Sequence, residues 1–434
     1  MKKILGIIVL GLLWQNLVLA NDLAISVFNK WLYDNGHQKY VTKENDGYSY
    51  SYKNNLNLKL SKKKWTLPEE ANPNFDTLLY YFFKYQHAHF VPGSRTYQWD
   101  TFEAKPSSQH YKLKSDLKVD KYIKKQMNKT ALLSYLLYED GKITVDKISP
   151  KDRFGNFVNN ETKLRSMSVG KTMVSYVMGH AICRGYIDSV DSRLNDWSLT
   201  KNTLYENQKI IDLLNMKAGD QKYVNRSNFK DGSGDVDTIS ISRAMFKMSN
   251  LKKSKSQYNY NALLPHLLLN YISFKSGDDF ENLLEDIFQN EAQIEQSVYF
   301  FKHPNFIKEV GNANSMFFAT RYDYLRIAKS ILDDWQNDTC MGKYLKTIYK
   351  NRIPKGNFDQ RFDLSSTFSA TKTYAGFFHT DYSGMKKRSI MGMSGYGNQE
   401  IIIDFDRSRI LVINSMHGNY NWKKIAYSVI KKGE

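Results

Sequence analysis

The chain has 434 residues, 41% hydrophobic and 14% aromatic, with a formal charge of +18. That is enough apolar side chain for a large core, which excludes a disordered chain and points to one large domain with an extension rather than several independent domains. No stretch resembles a nucleic-acid module, so the lysine-rich runs at 59–64 and 252–255 read as solvated loops. The simplest account of the charge is a genome rich in codons for Lys, Asn, Tyr and Ile; the alternative is attraction to anionic envelope polymer or lipid headgroups.

Met1 to Ala20 has a basic tip (Lys2, Lys3), an apolar run from Ile4 to Trp14, and the small or apolar end Val18-Leu19-Ala20. It reads as a secretory signal peptide, too short and too soon followed by Asn21-Asp22 for a membrane span; an uncleaved anchor is the alternative. The expected location is periplasmic or secreted, with no stable span after signal removal. Residues 21–115 carry no recognisable motif and are expected to form an extension packed on a main domain over 116–434. Within the extension, His87-x-His89 has the spacing of two metal ligands on a strand, yet no Cys or carboxylate cluster supports it. Neither a metal nor another cofactor is expected.

Ala131 to Tyr138 reads as a buried strand, Asp140-Gly141 as a hairpin turn, and Ile143 to Ile148 as the second strand. A long segment without proline then opens at Ser168-Val169-Gly170-Lys171, so Ser168 starts a helix. Residues three apart share a helix face, which sets the Lys171 ammonium beside the Ser168 hydroxyl near the positive end of the helix dipole. A serine hydroxyl needs a neighbouring base to become a nucleophile, and an amine with a lowered pKa can serve. Gly170-Lys171-Thr172 could instead end a phosphate-binding G-x-x-x-x-G-K-[ST] loop, but that loop needs glycine where Arg165 stands. Cys183, near the end of this apolar helix, reads first as a small buried hydrophobe, with a bridge to Cys340 as the alternative.

After the helix come Gly185-Tyr186-Ile187 and then Ile210-Ile211-Asp212-Leu213-Leu214-Asn215-Met216-Lys217-Ala218-Gly219. Together with the S-x-x-K, this resembles the serine β-lactamase and penicillin-binding protein superfamily, in its class C and esterase-like branch, with Ala218 where that segment usually carries Ser. The resemblance runs over roughly residues 128–434. It implies an α/β (α+β) fold: an antiparallel sheet flanked by helices beside a mostly helical region, with the site between them. Residues 219–251 read as a polar, exposed loop.

The superfamily also has a Y-x-N motif at a helix start, whose tyrosine shares protons with the lysine. Choosing Tyr260 within Tyr258-Asn259-Tyr260-Asn261-Ala262 puts Leu267 and Leu268 at the family's apolar pair, whereas Tyr258 would put Pro265 there. Ala262 then replaces the motif's Asn, and Asn261 is the candidate to contact substrate. His266 reads as a packed or surface residue. Arg321 to Ile327 resembles the family helix before the last strands.

The third element, K-T-G or H-x-G on a strand edge, is not Lys372-Thr373-Tyr374, because its third position must be glycine to let substrate lie against the backbone. Met391 to Gln399 is the match, followed by strands Glu400 to Phe405 and Ile410 to Met416 and a C-terminal helix from Trp422 to Lys431 with Ile425, Val429 and Ile430 inward. Met393, Ser394 and Gly395 would then line the substrate site. Met393 stands at the cation position, and a thioether cannot attract a substrate carboxylate. Lys386, Lys387 and Arg388 read as solvated turn residues. The main-chain amides of Ser168 and Tyr396 would form the oxyanion hole.

These readings imply an exported serine hydrolase in which Ser168, Lys171 and Tyr260 cleave an uncharged or peptide-like ester or amide, and which is not an efficient β-lactamase. The alternatives are a binding or sensor protein with a decayed site, and a carboxypeptidase that releases terminal D-alanine from wall peptide.

Overall fold

The computed structural model of the chain describes residues 33–34, 41–44, 47–50, 101–151, 158–236, 239–302, 313–356, 364–385 and 387–432. The expected leader over 1–20, the His87/His89 pair and Lys386 lie outside the described residues, whereas Arg388, expected to be a solvated turn residue, is buried and ion-paired with Asp404 of the large sheet.

β1 (Val41–Glu44) and β2 (Gly47–Tyr50) pair as a hairpin. β3 (Thr101–Ala104) and β4 (Lys114–Ser115) each join a larger sheet, so residues 101–115 supply strands to both main sheets. α1 (Lys121–Lys129) starts at Asp120, whose carboxylate accepts from the Tyr122 and Ile123 N–H groups, the ordinary way to satisfy orphan donors at a helix start. β5 (Leu132–Glu139) and β6 (Lys142–Ile148) form the hairpin that the alternation predicts. Asp140 and Gly141 between them have φ of 50° and 80°, the left-handed pair a two-residue connection demands.

β7 (Leu164–Arg165) leads into α2 (Val169–Cys183), buried from Val169 through Ala181; a helix apolar all round belongs at the centre of a domain. A helical region follows: α3 (Ile210–Leu214), a small hairpin of β8 (Val224–Asn225) and β9 (Asn228–Phe229), α4 (Ile241–Lys247), α5 (Leu263–Ser276) and α6 (Phe280–Glu285). Residues 219–251 are therefore more than a polar loop: Ile241, Ala244 and Met245 of α4 are buried, at the i, i+3, i+4 spacing that a seven-residue helix shows only weakly in sequence.

β10 (Val298–Lys302) and β11 (Ala313–Ala319) precede α7 (Arg321–Asn337) and α8 (Cys340–Lys350). Then come β12 (Ile353–Pro354), α9 (Thr367–Ala370), β13 (Thr371–Ala375), β14 (Phe378–Tyr382), β15 (Ile390–Gly395), β16 (Gln399–Asp404) and β17 (Arg409–Ser415). The chain closes with helical turns over Lys423–Tyr427 and α10 (Ser428–Lys431), where Ile425 and Ile430 are buried as expected and Val429 is half-buried.

Among the described residues the large sheet has nine strands in the order β12-β13-β14-β15-β16-β17-β5-β6-β4, antiparallel except for the β4–β6 edge. The small sheet runs β3-β10-β11-β7. Ile401 and Ile403 of β16 and Ile410 and Val412 of β17 face the core that holds α2, α5, α7 and α8. Ile402, Leu411 and Ile413 face a second core under α1 and the C-terminal helix. A strand covered on both faces is apolar at every position, which is why these runs read so clearly in the sequence. This is the expected architecture, helices on both faces of an antiparallel sheet beside a helical region.

Candidate active site

The turn that presents Ser168 is fixed from both sides. Ser166 N–H donates to Phe317 O at 2.8 Å, and Phe317 N–H donates to Ser166 Oγ at 3.0 Å, tying the turn to β11. Met167 has φ of 49°, a conformation costly for a side-chain-bearing residue and held here by the surrounding packing. Three residues later, on the first turn of α2, a Cβ at Gly170 would run into the Ser315 carbonyl oxygen. Only glycine lets α2 lie this close to the strand.

On the first turn of α2, Lys171 Nζ donates to Ser168 Oγ at 3.1 Å. Lys171 is buried and Ser168 half-buried. Tyr260 closes the arrangement, with the Lys171 ammonium 5.3 Å from its ring centroid. Of the two candidate tyrosines it is Tyr260 that the structure brings to Lys171; Tyr258 packs against Tyr374 instead, ring centroids 5.3 Å apart. The ammonium meets the ring of Tyr260 rather than its hydroxyl, and such contacts are known to tighten when substrate binds.

The Tyr260 ring is held by Phe368 and His379, which the sequence reading did not single out, and by Tyr374, which it met only as the end of a rejected motif. Phe368 lies edge-on at 5.5 Å, Tyr374 edge-on at 6.1 Å, and His379 stacks at 6.4 Å with 29° between planes. His379 is fully buried, and burial, helped by the positive charge of Lys355, holds its pKa well below the usual histidine value. It is therefore a neutral ring at physiological pH. These residues come from β13, β14 and α9, more than a hundred positions from Tyr260, and no local signal could have joined them.

The backbone around Tyr260 is clamped by Asp220, also unsuspected from sequence. Its carboxylate accepts from Asn259 Nδ2 at 2.7 Å, Asn261 Nδ2 at 3.0 Å and the Tyr205 hydroxyl at 3.0 Å. Both residues flanking Tyr260 thus hang from one buried carboxylate, whose pKa is raised by burial against the pull of these hydrogen bonds. This places Asn261 differently from the substrate contact that the sequence suggests. Its amide oxygen caps α5, accepting from Leu263 and Leu264 N–H at 3.1 Å, its amide nitrogen is taken by Asp220, and the residue is fully buried.

β15 runs past the turn that bears Ser168. A Cβ at Gly395 would come within 2.7 Å of Ser166 O and 3.0 Å of Met167 Cβ, so the glycine lets the strand that leads to Tyr396 lie against the turn that bears Ser168. Met393 and Ser394, expected among the substrate contacts, are otherwise engaged. Met393 has no exposed surface and belongs to the core around α2. Ser394, on the opposite face, donates to Glu400 Oε1 at 2.9 Å. Tyr396 keeps 39% of its surface exposed.

Lys372-Thr373-Tyr374 lies on β13, two strands away from β15. His266 is buried and its Nδ1 accepts from Ser315 N–H at 3.0 Å, a packing role as the sequence suggested. Cys183 and Cys340 do not remain thiols: they form a disulfide, with Cα atoms 5.8 Å apart, joining the end of α2 to the start of α8. The apolar helix context favoured a thiol, but the last turn of α2 is only partly covered and faces the exposed start of α8. Among the described residues no cluster of three or more His, Cys, Asp or Glu could hold a metal ion, and no helix is long and apolar enough to cross a membrane.

No protein-family model and no curated protein matches this sequence. Solved structures do. A protein from Bacillus anthracis assigned as a 6-aminohexanoate-dimer hydrolase superposes with a TM-score of 0.58 at 14% identity, over 86% of this chain and 96% of its own. One from Bacteroides dorei DSM 17855 assigned as a β-lactamase gives 0.53 at 13% identity, over 71% of this chain and 96% of its own. At such identities the likeness speaks of architecture: the chain has the fold of the serine β-lactamase and penicillin-binding protein superfamily.

Proposed function

We propose that the chain is an exported serine hydrolase that cleaves an ester or amide through an acyl-enzyme. The observation that carries this is the 3.1 Å contact between Lys171 Nζ and Ser168 Oγ beneath the Tyr260 ring. Ser168 Oγ attacks the carbonyl carbon while the Lys171–Tyr260 pair takes its proton, and the amides of Ser168 and Tyr396 hold the developing oxyanion. The proton passes to the departing alcohol or amine. Water then adds to the acyl-enzyme by the same route and releases the acid. Met393 brings no cation to β15, so the favoured substrate has no carboxylate to be read at that strand, which argues against efficient β-lactam hydrolysis. The Cys183–Cys340 disulfide fits the oxidising compartment to which the leader would send the chain.

A fluorophosphonate probe tests the reading. Labelling of the wild type and its loss in Ser168→Ala supports the hydrolase, and a panel of short esters and amides, with terminal D-alanyl-D-alanine among them, then ranks the substrates. A folded wild type that takes no label would instead support a binding protein, the reading favoured by the commitment of the Asn261 amide to Asp220.

A further inference from the structure

One face of the large sheet carries a concentration of positive charge that the hydrolase reading does not use. Seven of the eighteen residues from Lys112 to Lys129 are lysine, and Lys423, Lys424, Lys431 and Lys432 add four within residues 421–432. Eleven of these thirty residues are thus lysine, whereas Lys and Arg together make up 62 of the 434 in the chain. A uniform codon bias would not gather them so.

The two stretches are neighbours in space. Ile123 and Met127 of α1 and Trp422, Ile425 and Ile430 of the C-terminal helix share one core beneath them. Asn421 N–H donates to Gln126 Oε1 at 3.0 Å, and the Lys424 ammonium lies 3.8 Å from the Tyr122 ring centroid. All of these lysines but Lys431 are exposed. The two acids within the same stretches are engaged elsewhere, Asp116 with Lys142 and Asp120 as the cap of α1.

At the entrance to α1 stand Leu117, 58% exposed, and Val119, 86% exposed. The apolar side of α1 is already spent on the sheet, so these two aliphatic side chains are free to enter another apolar phase. A hydrated polyanion offers them none. A bilayer does, below the phosphates that would hold the lysines.

We infer that this face, formed by residues 112–129 and the C-terminal helix, docks the protein on an anionic lipid bilayer. The inference is independent of the chemistry at Ser168 and is read by binding alone. Full-length protein and the chain from Asn21 are sedimented in parallel with phosphatidylcholine vesicles with and without phosphatidylglycerol, so that an apolar N-terminus cannot stand in for the face. Both forms are expected to bind only the anionic vesicles. Lys121→Glu/Lys124→Glu/Lys125→Glu should lower partitioning at least about tenfold, and Leu117→Ser/Val119→Ser should lower it to a smaller extent while leaving it salt-sensitive. Equal binding of the charge-reversed variant, equal binding to neutral vesicles, or no binding by the chain from Asn21 would overturn the inference. So would soluble polyglutamate binding as tightly as the vesicles together with indifference to the Leu117/Val119 change, which would assign the face to a soluble polyanion.

Discussion

Replacing Glu400 by glutamine should flatten much of the dependence of stability on pH. Glu400 lies on β16 opposite Ser394 of β15, fully buried. Its Oε1 accepts from Ser394 Oγ at 2.9 Å and from Thr367 N–H at 3.4 Å, and Oε2 is buried with no hydrogen-bond partner. Burial pushes its pKa from 4.5 up to about 8, against the hydrogen bonds from Thr367 and Ser394 and the positive charge of Lys355. Below the lower value both folded and unfolded chains hold the proton, and above the upper value neither does. Between the two only the folded chain is protonated, so stability is whole at acid pH and is lost as pH rises toward 8. At about 1.4 kcal/mol per pH unit the full interval is worth roughly 5 kcal/mol. Glutamine has the shape of the protonated acid, keeps an oxygen for Ser394 and Thr367, and has no proton to lose. Denaturant melts of both proteins isolate the group, because every other titration cancels in their difference. That difference should move in favour of Glu400→Gln by about 4 kcal/mol between pH 5 and 8. A difference that stays constant across the range would mean that the buried carboxyl is not neutral in the folded chain, and the reasoning fails.

Further perturbations probe the site and the frame around it. Gly170→Ala forces α2 away from the Ser315 carbonyl and should cost about 1–3 kcal/mol in a melt, with slower fluorophosphonate labelling of the fraction that remains folded. Asp220→Asn faces two amide donors with a third, so it should destabilise by about 1–3 kcal/mol and slow labelling more than about tenfold. Tyr205→Phe, which removes only the phenolic hydrogen bond to the same carboxylate, should lose stability but keep the labelling rate; equal slowing in both variants would deny Asp220 a part in placing Tyr260. Replacing Cys183 and Cys340 by serine opens a closed loop of 157 residues, worth about 5 kcal/mol by chain entropy against the 2–4 typical of measurement. An unchanged melting midpoint in the double variant would sink that estimate.

What the sequence made legible was whatever is decided by short spacing or continuous burial. Ser168 and Lys171 are one helical turn apart, and their meeting follows from helix geometry alone. The strands β16 and β17 are covered on both faces, so their apolar runs mark them without further help. Tyr260 was reachable because the leucines two turns on distinguished it from Tyr258. Illegible were the contacts decided by tertiary structure. Asp220 reaches residues 259 and 261 across some forty positions, His379 meets Tyr260 from another strand, and the disulfide joins helices whose own patterns say nothing of each other.

The misplacement of Asn261 shows where spacing stops being informative. Its position next to Tyr260 is real, but the start of α5 leaves backbone N–H groups without partners, and burying them there would cost more than a hydrogen bond to substrate would return. The cap therefore claims the amide oxygen and Asp220 claims the nitrogen. Gly395 illustrates the opposite case. It matters for what it lacks, since a Cβ there would strike the turn that bears Ser168, and in the proposed mechanism the amide that follows it would act through the main chain whatever side chain residue 396 carries. If the proposed chemistry holds, such a site tolerates change of side chain at 396 and resists it at 170 and 395. Gly395→Ala should therefore weaken labelling more than Tyr396→Ala, although the tyrosine is the larger and more exposed side chain; the reverse order would remove the main chain of β15 from the proposed chemistry.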